Sequence, residues 1–139
     1  MNQKPIAWLL KSWMFLLTII LWGCSQETRN LSGQEAKMLF SNQTVSGYHE
    51  KHGYSFVSYY DPSGTFRSYQ NGSKTPKIGK WWVTDAQICI RWEIEGKDLC
   101  RNMVTDQKQQ YWKYLIKSNG ARIKLVTFHS FETGNPKNL

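Results

Sequence analysis

Two groups of residues in this chain of 139 amino acids could do chemistry: a short histidine cluster and three cysteines. The cluster is Tyr48-His49-Glu50-Lys51-His52. Its histidines are three positions apart, whereas the zinc motif H-E-x-x-H needs a spacing of four. Side chains three apart on a strand face opposite sides, so one metal could reach both only at a bend. The spacing therefore favours a polar hairpin turn over a metal or acid–base site, and His129 alone is predicted to be structural.

The other polar residues do not form the pattern of a catalytic site. No serine lies in the motif G-x-S-x-G, and no phosphate-binding glycine loop or pair of carboxylates can be assigned. Asp85, Asp98 and Asp106 lie at predicted turns, where aspartate is favoured because it bonds the local backbone. We therefore predict that the protein is not an enzyme and has no catalytic residue, no bound metal and no cofactor.

The chain is basic, with 18 Lys and Arg against 10 Asp and Glu, a formal net charge of +8. A basic surface favours anionic partners such as phospholipid headgroups. The lysines are scattered rather than clustered, which favours a mildly cationic, solvated surface. Nucleic-acid binding needs a tighter basic patch, so no nucleic-acid partner is predicted.

Residues 1–23 follow the three-part plan of an export signal. Lys4 and Lys11 give a positive start, an uncharged apolar run extends from Trp13 to Trp22, and Gly23 begins a small-residue exit. The run is shorter than the roughly 17–25 apolar residues that a transmembrane helix requires. A cleaved signal peptide is therefore favoured over a spanning anchor.

The end of that run, Leu21-Trp22-Gly23-Cys24, resembles the lipobox of bacterial lipoproteins, in which the cysteine receives the lipid and becomes the first mature residue. Every position matches except Trp22, where a small residue is usual. The resemblance implies palmitate and related acyl chains on Cys24, and Ser25 implies an outer-membrane lipoprotein facing the periplasm. The alternative is cleavage after Ser25, which would discard Cys24 and release the protein into the periplasm.

Lipidation of Cys24 would leave Cys89 and Cys100 as a pair. An exported protein meets an oxidising compartment, so we expect these two cysteines to form a disulfide. Their spacing is far from the redox motif C-x-x-C, and no further ligands stand at zinc spacing.

The stretch from Trp81 to Cys100 is the predicted organising hairpin. One strand alternates between two sets of residues, Ile88, Ile90, Trp92 and Ile94 on one side and Cys89, Arg91 and Glu93 on the other. Such alternation indicates a strand with one buried face. Glu95-Gly96 offers a turn, and residues 97–104 return as the partner strand. With the isoleucines inward, Cys89 and Cys100 should face each other across the ladder on the outside of the sheet.

The rest of the chain consists of one short helix and more strands. Ser32 and Glu35 have the capping-box spacing of a helix that continues to Phe40. Seven or eight short strands follow, at 44–48, 54–60, 65–70, 79–84, 88–94, 97–104, 111–117 and 121–128. A type I turn is predicted at residues 61–64 and an Asn-Gly hairpin at residues 118–120.

These elements predict an all-β fold: a small antiparallel meander or lipocalin-like barrel with one short N-terminal helix after the signal peptide. The predicted organisation is a signal peptide with a lipobox-like end at 1–23, a tether at 24–30 and a single β-rich domain at 31–139. The predicted core includes Trp92, Trp112, Tyr114 and Ile116, and the tail from residue 131 is expected to be irregular.

Four aromatic residues, Trp81, Trp82, Tyr59 and Tyr60, are candidates to line a cavity for an apolar ligand or to contact a partner. Packing in the core is the alternative, because small barrels fill with their own side chains. Trp81 and Trp82 are adjacent, so one of them must face out. An outward tryptophan beside Lys80 would suit a membrane surface or a protein partner.

A series of motifs is spread over the mature chain: Leu31-Ser32-x-x-Glu35, Thr44-Val45-Ser46-Gly47, Tyr59-Tyr60-x-x-x-Gly64-Thr65, Gly79-Lys80-Trp81, Ile88-Cys89-Ile90-x-Trp92, Cys100 and Gly134-Asn135-Pro136-x-x-Leu139. Together they resemble the small exported proteobacterial domains catalogued as domain of unknown function 995. The resemblance implies an exported all-β domain and carries no established activity or catalytic residue. The lipobox is a departure, since many members look simply secreted.

Two functions follow as hypotheses. The first is an exported lipoprotein, anchored through Cys24, that acts as a non-enzymatic envelope binding or accessory domain. The alternative is a lipocalin-like carrier of a small apolar ligand. A barrel interior filled by tryptophan would exclude the carrier, and a continuous apolar cavity would favour it.

Overall fold

The computed structural model describes residues 27–139, which form a nine-stranded antiparallel sheet and one helix. The predicted signal peptide and the predicted lipidation site, Cys24, lie outside these residues. The elements are β1 Thr28–Asn30, α1 Gly33–Phe40, β2 Gln43–His49, β3 Tyr54–Tyr60, β4 Thr65–Gln70, β5 Lys77–Val83, β6 Gln87–Trp92, β7 Asp98–Asp106, β8 Tyr111–Ile116 and β9 Arg122–Thr133.

Strands β2 to β9 close into a barrel. Each pairs with the next along the chain, and β9 returns to pair with β2, so the ring has no free edge. Strand β1 is additional. It pairs with residues 104–106 at the end of β7, beyond the residues of β7 that pair with β6. The predicted all-β, lipocalin-like barrel with one short helix is confirmed.

The helix closes one end of the barrel. It begins with the predicted capping box: Ser32 accepts from the Glu35 amide, and the Glu35 carboxylate accepts from the Ser32 amide. Phe40 is fully buried, and its ring centroid lies 4.7 Å from Tyr60 and 5.1 Å from Phe128. The helix thus places the Phe40 ring inside the barrel, and this end of the barrel holds most of the apolar core.

The organising hairpin has the predicted register. Cys89 lies directly opposite Cys100 and forms the disulfide, with 4.0 Å between their Cα atoms. The side chains alternate as predicted, with Ile88 inward and Arg91 outward. Ile94 is an exception because the strand ends at Trp92, and Ile94 is 95% exposed in the turn.

The prediction of which β8 residues enter the core is wrong, because the alternation of inward and outward side chains is the reverse of the predicted one. Ile116 is half exposed, and Trp112 is only half-buried, because both point outward. Tyr114 is buried, but on the outside of the barrel, where its hydroxyl donates to Asn30 Oδ1 of β1 at 2.6 Å. The inward residue at this point of β8 is therefore Lys113.

Strand structure extends further at both ends of the predicted β-domain than the sequence predicts. Thr28–Asn30, at the end of the expected tether, form β1 on the edge of β7. Strand β9 runs to Thr133, where an irregular tail was expected, and Phe131 pairs with Val45 and contacts Phe40. Among residues 27–139, no helix is long and apolar enough to cross a membrane.

A test of the helix attachment follows from Gly33. Its amide donates to Asp85 O at 2.8 Å, and a Cβ at this position would collide with the Thr84 carbonyl. We expect Gly33→Ala to destabilise the protein by roughly 1–3 kcal/mol, because the helix start must move off the β5–β6 turn. Urea unfolding measures the loss. Gln34→Ala, at an exposed neighbouring position, is the control, and equal stability of the two variants would contradict this packing.

Candidate functional site

The barrel end opposite the helix is open. A cavity of about 640 Å³ lies there, between the β2–β3 turn and the β6–β7 turn. A smaller recess of about 70 Å³ shares part of its lining and reaches inward to Tyr60 and Phe66. The cavity is lined by His49, Lys51, His52, Tyr54, Gln70, Lys77, Ile90, Trp92, Glu95, Lys97, Leu99, Arg101, Lys113, Leu115, Leu125 and Val126.

Much of the wall is apolar. Trp92 stands on β6 with its ring centroid 5.0 Å from Phe66, so its inner edge joins the core. Leu99 and Leu115 face the cavity from β7 and β8. Leu125 faces it as well, because the register between β8 and β9 shifts after Lys113 and turns an extra residue of β9 inward.

Lys113 is the most unusual residue of the lining. It lies on β8 between Met103 and Val126, is 6% exposed, and touches both the cavity and the recess. Its Nζ lies 5.8 Å and 5.5 Å from the ring centroids of Phe40 and Phe128. Within residues 27–139, this ammonium group has no carboxylate partner and donates no hydrogen bond to the protein.

The surroundings of Lys113 disfavour its charge. Burial lowers the pKa of Lys113 to about 7, and the positive charge of Arg101 adds to this effect. The aromatic faces of Phe40 and Phe128 offset only part of the lost hydration. At neutral pH the Lys113 amine is therefore close to half protonated.

Arg101 supplies a second cation from the neighbouring strand. It occupies an inward position on β7, opposite Ile88, and one of its N–H groups donates to Cys100 O at 2.7 Å. The lining as a whole carries five lysine or arginine side chains and one carboxylate, Glu95. A concave wall with this excess of one sign focuses a positive potential into the cavity.

The histidines meet at the rim. His49 ends β2, and the turn that follows places His52 with its ring centroid 4.5 Å from that of His49. The predicted polar hairpin turn is confirmed: residues 50–53 join β2 to β3, and His52 lies in this turn and not on a strand. Burial, followed by the nearby His52, lowers the pKa of His49, and the buried Nδ1 of His49 has no hydrogen-bond partner. The described residues hold no group of three or more metal-ligating side chains.

The four predicted aromatic candidates do not form one site. Trp81 is buried at the helix end, where its Nε1 donates to Asp61 O at 2.8 Å. Tyr60 lies at the floor of the recess. Trp82 points outward beside the disulfide and under the guanidinium of Arg91, and Tyr59 donates to Asn42 Oδ1. Only Tyr60 contacts the open half of the barrel.

Lys113 was not predicted as a site residue, because Trp112, Tyr114 and Ile116 have the pattern of a buried set on β8. Strand β9 contains a signal that this face of β8 points outward. The hairpin at residues 118–120 pairs Ile116 with Arg122 and Tyr114 with Lys124, so that set faces cations. Arg122 covers the Tyr114 ring, and Lys124 covers the Trp112 ring, at 5.0 and 4.6 Å. Paired with arginine and lysine, this face belongs outside, which sends Lys113 inward.

A scan of protein-family models, a search of curated proteins and a search of solved structures each gave no match to this chain. The assignment to a lipocalin-like antiparallel barrel rests on the pairing of the strands. The site is a cationic, partly apolar cavity that a barrel of this kind can offer to a small molecule.

The buried amine gives the fold a specific pH dependence. The folded pKa of Lys113, about 7, lies below the usual lysine value of about 10.4, so the unfolded chain binds more protons between these two pH values. We expect the free energy of unfolding to rise from pH 7 to pH 9, by up to about 1.4 kcal/mol per pH unit. Urea unfolding at pH 7, 8 and 9 measures this slope.

Lys113→Met should remove the slope and raise stability at pH 7, because a thioether of similar length needs no hydration. Lys124→Met is the matched control, since Lys124 is exposed on the outside of the neighbouring strand. An unchanged slope in Lys113→Met would show that another group titrates.

Proposed function

We propose that this protein is an exported, non-enzymatic β-barrel that binds a small, largely apolar ligand in the open half of its barrel. The observation that carries the proposal is the cavity of about 640 Å³, walled by Ile90, Trp92, Leu99, Leu115, Leu125 and Val126. Ligand sites in proteins commonly measure about 300–1,000 Å³ and are mostly apolar. The half that the helix fills gives the cavity a solid floor.

A non-enzymatic role agrees with the chemistry of the wall. The described lining carries one carboxylate, Glu95, and no serine or cysteine beside a histidine base. A serine or cysteine nucleophile is commonly activated by a base within hydrogen-bond reach. Binding asks only for shape, apolar surface and a few placed polar groups. No cofactor is proposed.

We also propose that Cys24 carries a lipid and holds the barrel at the outer membrane, facing the periplasm, or that the protein is periplasmic if Cys24 is not lipidated. Kinship with the exported domain family that the motifs resemble is part of the same proposal. Strand β1 starts at Thr28, four residues after Cys24, a span of at most about 14 Å. The barrel would then sit close to the membrane surface.

The anchor would be at the closed end of the barrel. Thr28 pairs with Asp106, at the end of β7 furthest from the cavity, whereas Leu99 near the start of β7 lines the cavity. The mouth would face away from the membrane. Ligand would therefore exchange with the periplasm and not with the lipid beneath the protein.

An envelope accessory domain is the second candidate. It is favoured by the outer face of β8 and β9, where the half-buried Trp112 lies under Lys124. Aromatic and cationic side chains together suit a membrane surface or a protein partner. This function does not need the cavity, so blocking the cavity distinguishes the two candidates.

Binding of the neutral apolar probe N-phenyl-1-naphthylamine tests the ligand hypothesis. We expect saturable fluorescence enhancement in the purified protein and at least a tenfold weaker affinity in Leu115→Trp, because the larger ring fills the mouth. Ile116→Trp is the matched control, since it adds the same ring one position along on the outer face, and it should bind as the unmodified protein does. Equal binding by the two variants, or no saturable binding, would refute a cavity ligand and favour the accessory role.

The lipid anchor has a separate test in the mass of the protein purified from bacterial envelopes. We expect an N-terminal fragment beginning at Cys24 and heavier by its acyl chains, with Cys24→Ala released from the membrane fraction. Multiple acyl chains hold a protein firmly, because each buried CH₂ contributes about 0.8 kcal/mol. A fragment beginning after Ser25 would refute lipidation while leaving the cavity proposal intact.

A further inference from the structure

We infer that the ligand of the cavity is an amphiphile with an anionic carboxylate head, and that Lys113 and Arg101 hold this head at the inner end of the cavity. The ligand's apolar body would extend toward the mouth. This inference rests on the proposed binding function and specifies the chemistry of its ligand.

The first argument is the unpartnered ammonium of Lys113. A buried cation normally has a counter-charge or several hydrogen bonds, because removing a charge from water is costly. Lys113 is 94% buried yet has neither among residues 27–139, and it faces the cavity. A carboxylate in the cavity supplies both, since its oxygens accept hydrogen bonds and carry the opposite charge.

The second argument is the pairing of two cations on adjacent strands. Arg101 lies close enough to repel the charge of Lys113, and Glu95, the one carboxylate of the described lining, lies in the turn at the mouth. An anion between Lys113 and Arg101 would turn this repulsion into attraction for both. A guanidinium also matches the planar fork of a carboxylate.

The third argument is the apolar wall between this cation pair and the opening. Leu99, Leu115 and Leu125 line the cavity together with the two cations, so a head group at Lys113 leaves its body against leucine side chains. Inorganic anions could use the charges but not this wall, and a neutral hydrocarbon could use the wall but not the charges. An amphipathic monocarboxylate uses both.

Three probes of equal chain length separate these contributions: decanoate, decanol and decyltrimethylammonium, each displacing N-phenyl-1-naphthylamine at pH 7. We expect decanoate to bind at least tenfold more tightly than decanol, because hydrogen bonds to charged groups are the stronger ones. The cationic amphiphile should be the weakest of the three.

Lys113→Met should reduce the preference for decanoate over decanol to near one, while its affinity for decanol and the neutral probe is retained. Retained probe binding shows that this variant folds with its cavity. Arg101→Met should lose part of the preference. Lys124→Met, which removes an exterior lysine from the adjacent strand, should keep all of it.

Two results would overturn the inference. If the unmodified protein binds decanol as tightly as decanoate, the head group is not recognised, although probe displacement would still support an apolar ligand. If Lys113→Met retains the full preference, Lys113 is not the anion site. Absence of probe binding in every variant would instead refute the binding function itself, and the carboxylate site with it.

Discussion

Closure of the β2–β9 ring, completed by the pairing of β9 with β2, assigns each strand residue to the inside or the outside of the barrel. In a closed ring every strand is paired on both sides, so no strand can rotate to move an unsuitable side chain from the interior to the exterior. The inward set therefore follows from the alternation along each strand and from the register shift that adds Leu125 of β9. At the helix end it delivers Phe40's aromatic partners Tyr60 and Phe128, and at the other end it delivers Lys113 and Arg101.

The two ends of the interior therefore differ in what they contribute. Phe40, carried by the capped helix, completes a packed aromatic core whose burial stabilises the fold. The open end stabilises little, because a dehydrated amine and an adjacent guanidinium oppose folding. An arrangement that costs stability and faces an open cavity is typical of a site that serves a ligand. The disulfide between Cys89 and Cys100 locks the β6–β7 pair that forms one side of this cavity.

Much of the fold could be predicted because its signals are local. The capping box at Ser32, the turns at Gly64 and Gly120 and the alternation around Cys89 each depend on neighbouring residues, and the structure has all of them. The phase of β8 could not be predicted from that strand alone, because tryptophan and tyrosine suit either a core or an outer face covered by arginine and lysine. The cavity depends on residues from β2 to β9. No local pattern shows which part of the barrel interior is filled by side chains and which part is open.

The position of Lys113 also explains why no catalytic motif in the sequence marks the site. Motifs of that kind mark several reactive groups at fixed spacing, whereas this cavity has one buried cation on β8, a second on β7 and apolar side chains from the adjoining strands. Each of these residues is ordinary in its own segment. Their combination becomes chemically distinctive only when the ring closes and places an amine, with no counter-charge among residues 27–139, at the floor of an open cavity. A ligand that supplies that charge would balance the cations that the described part of the chain places in the interior.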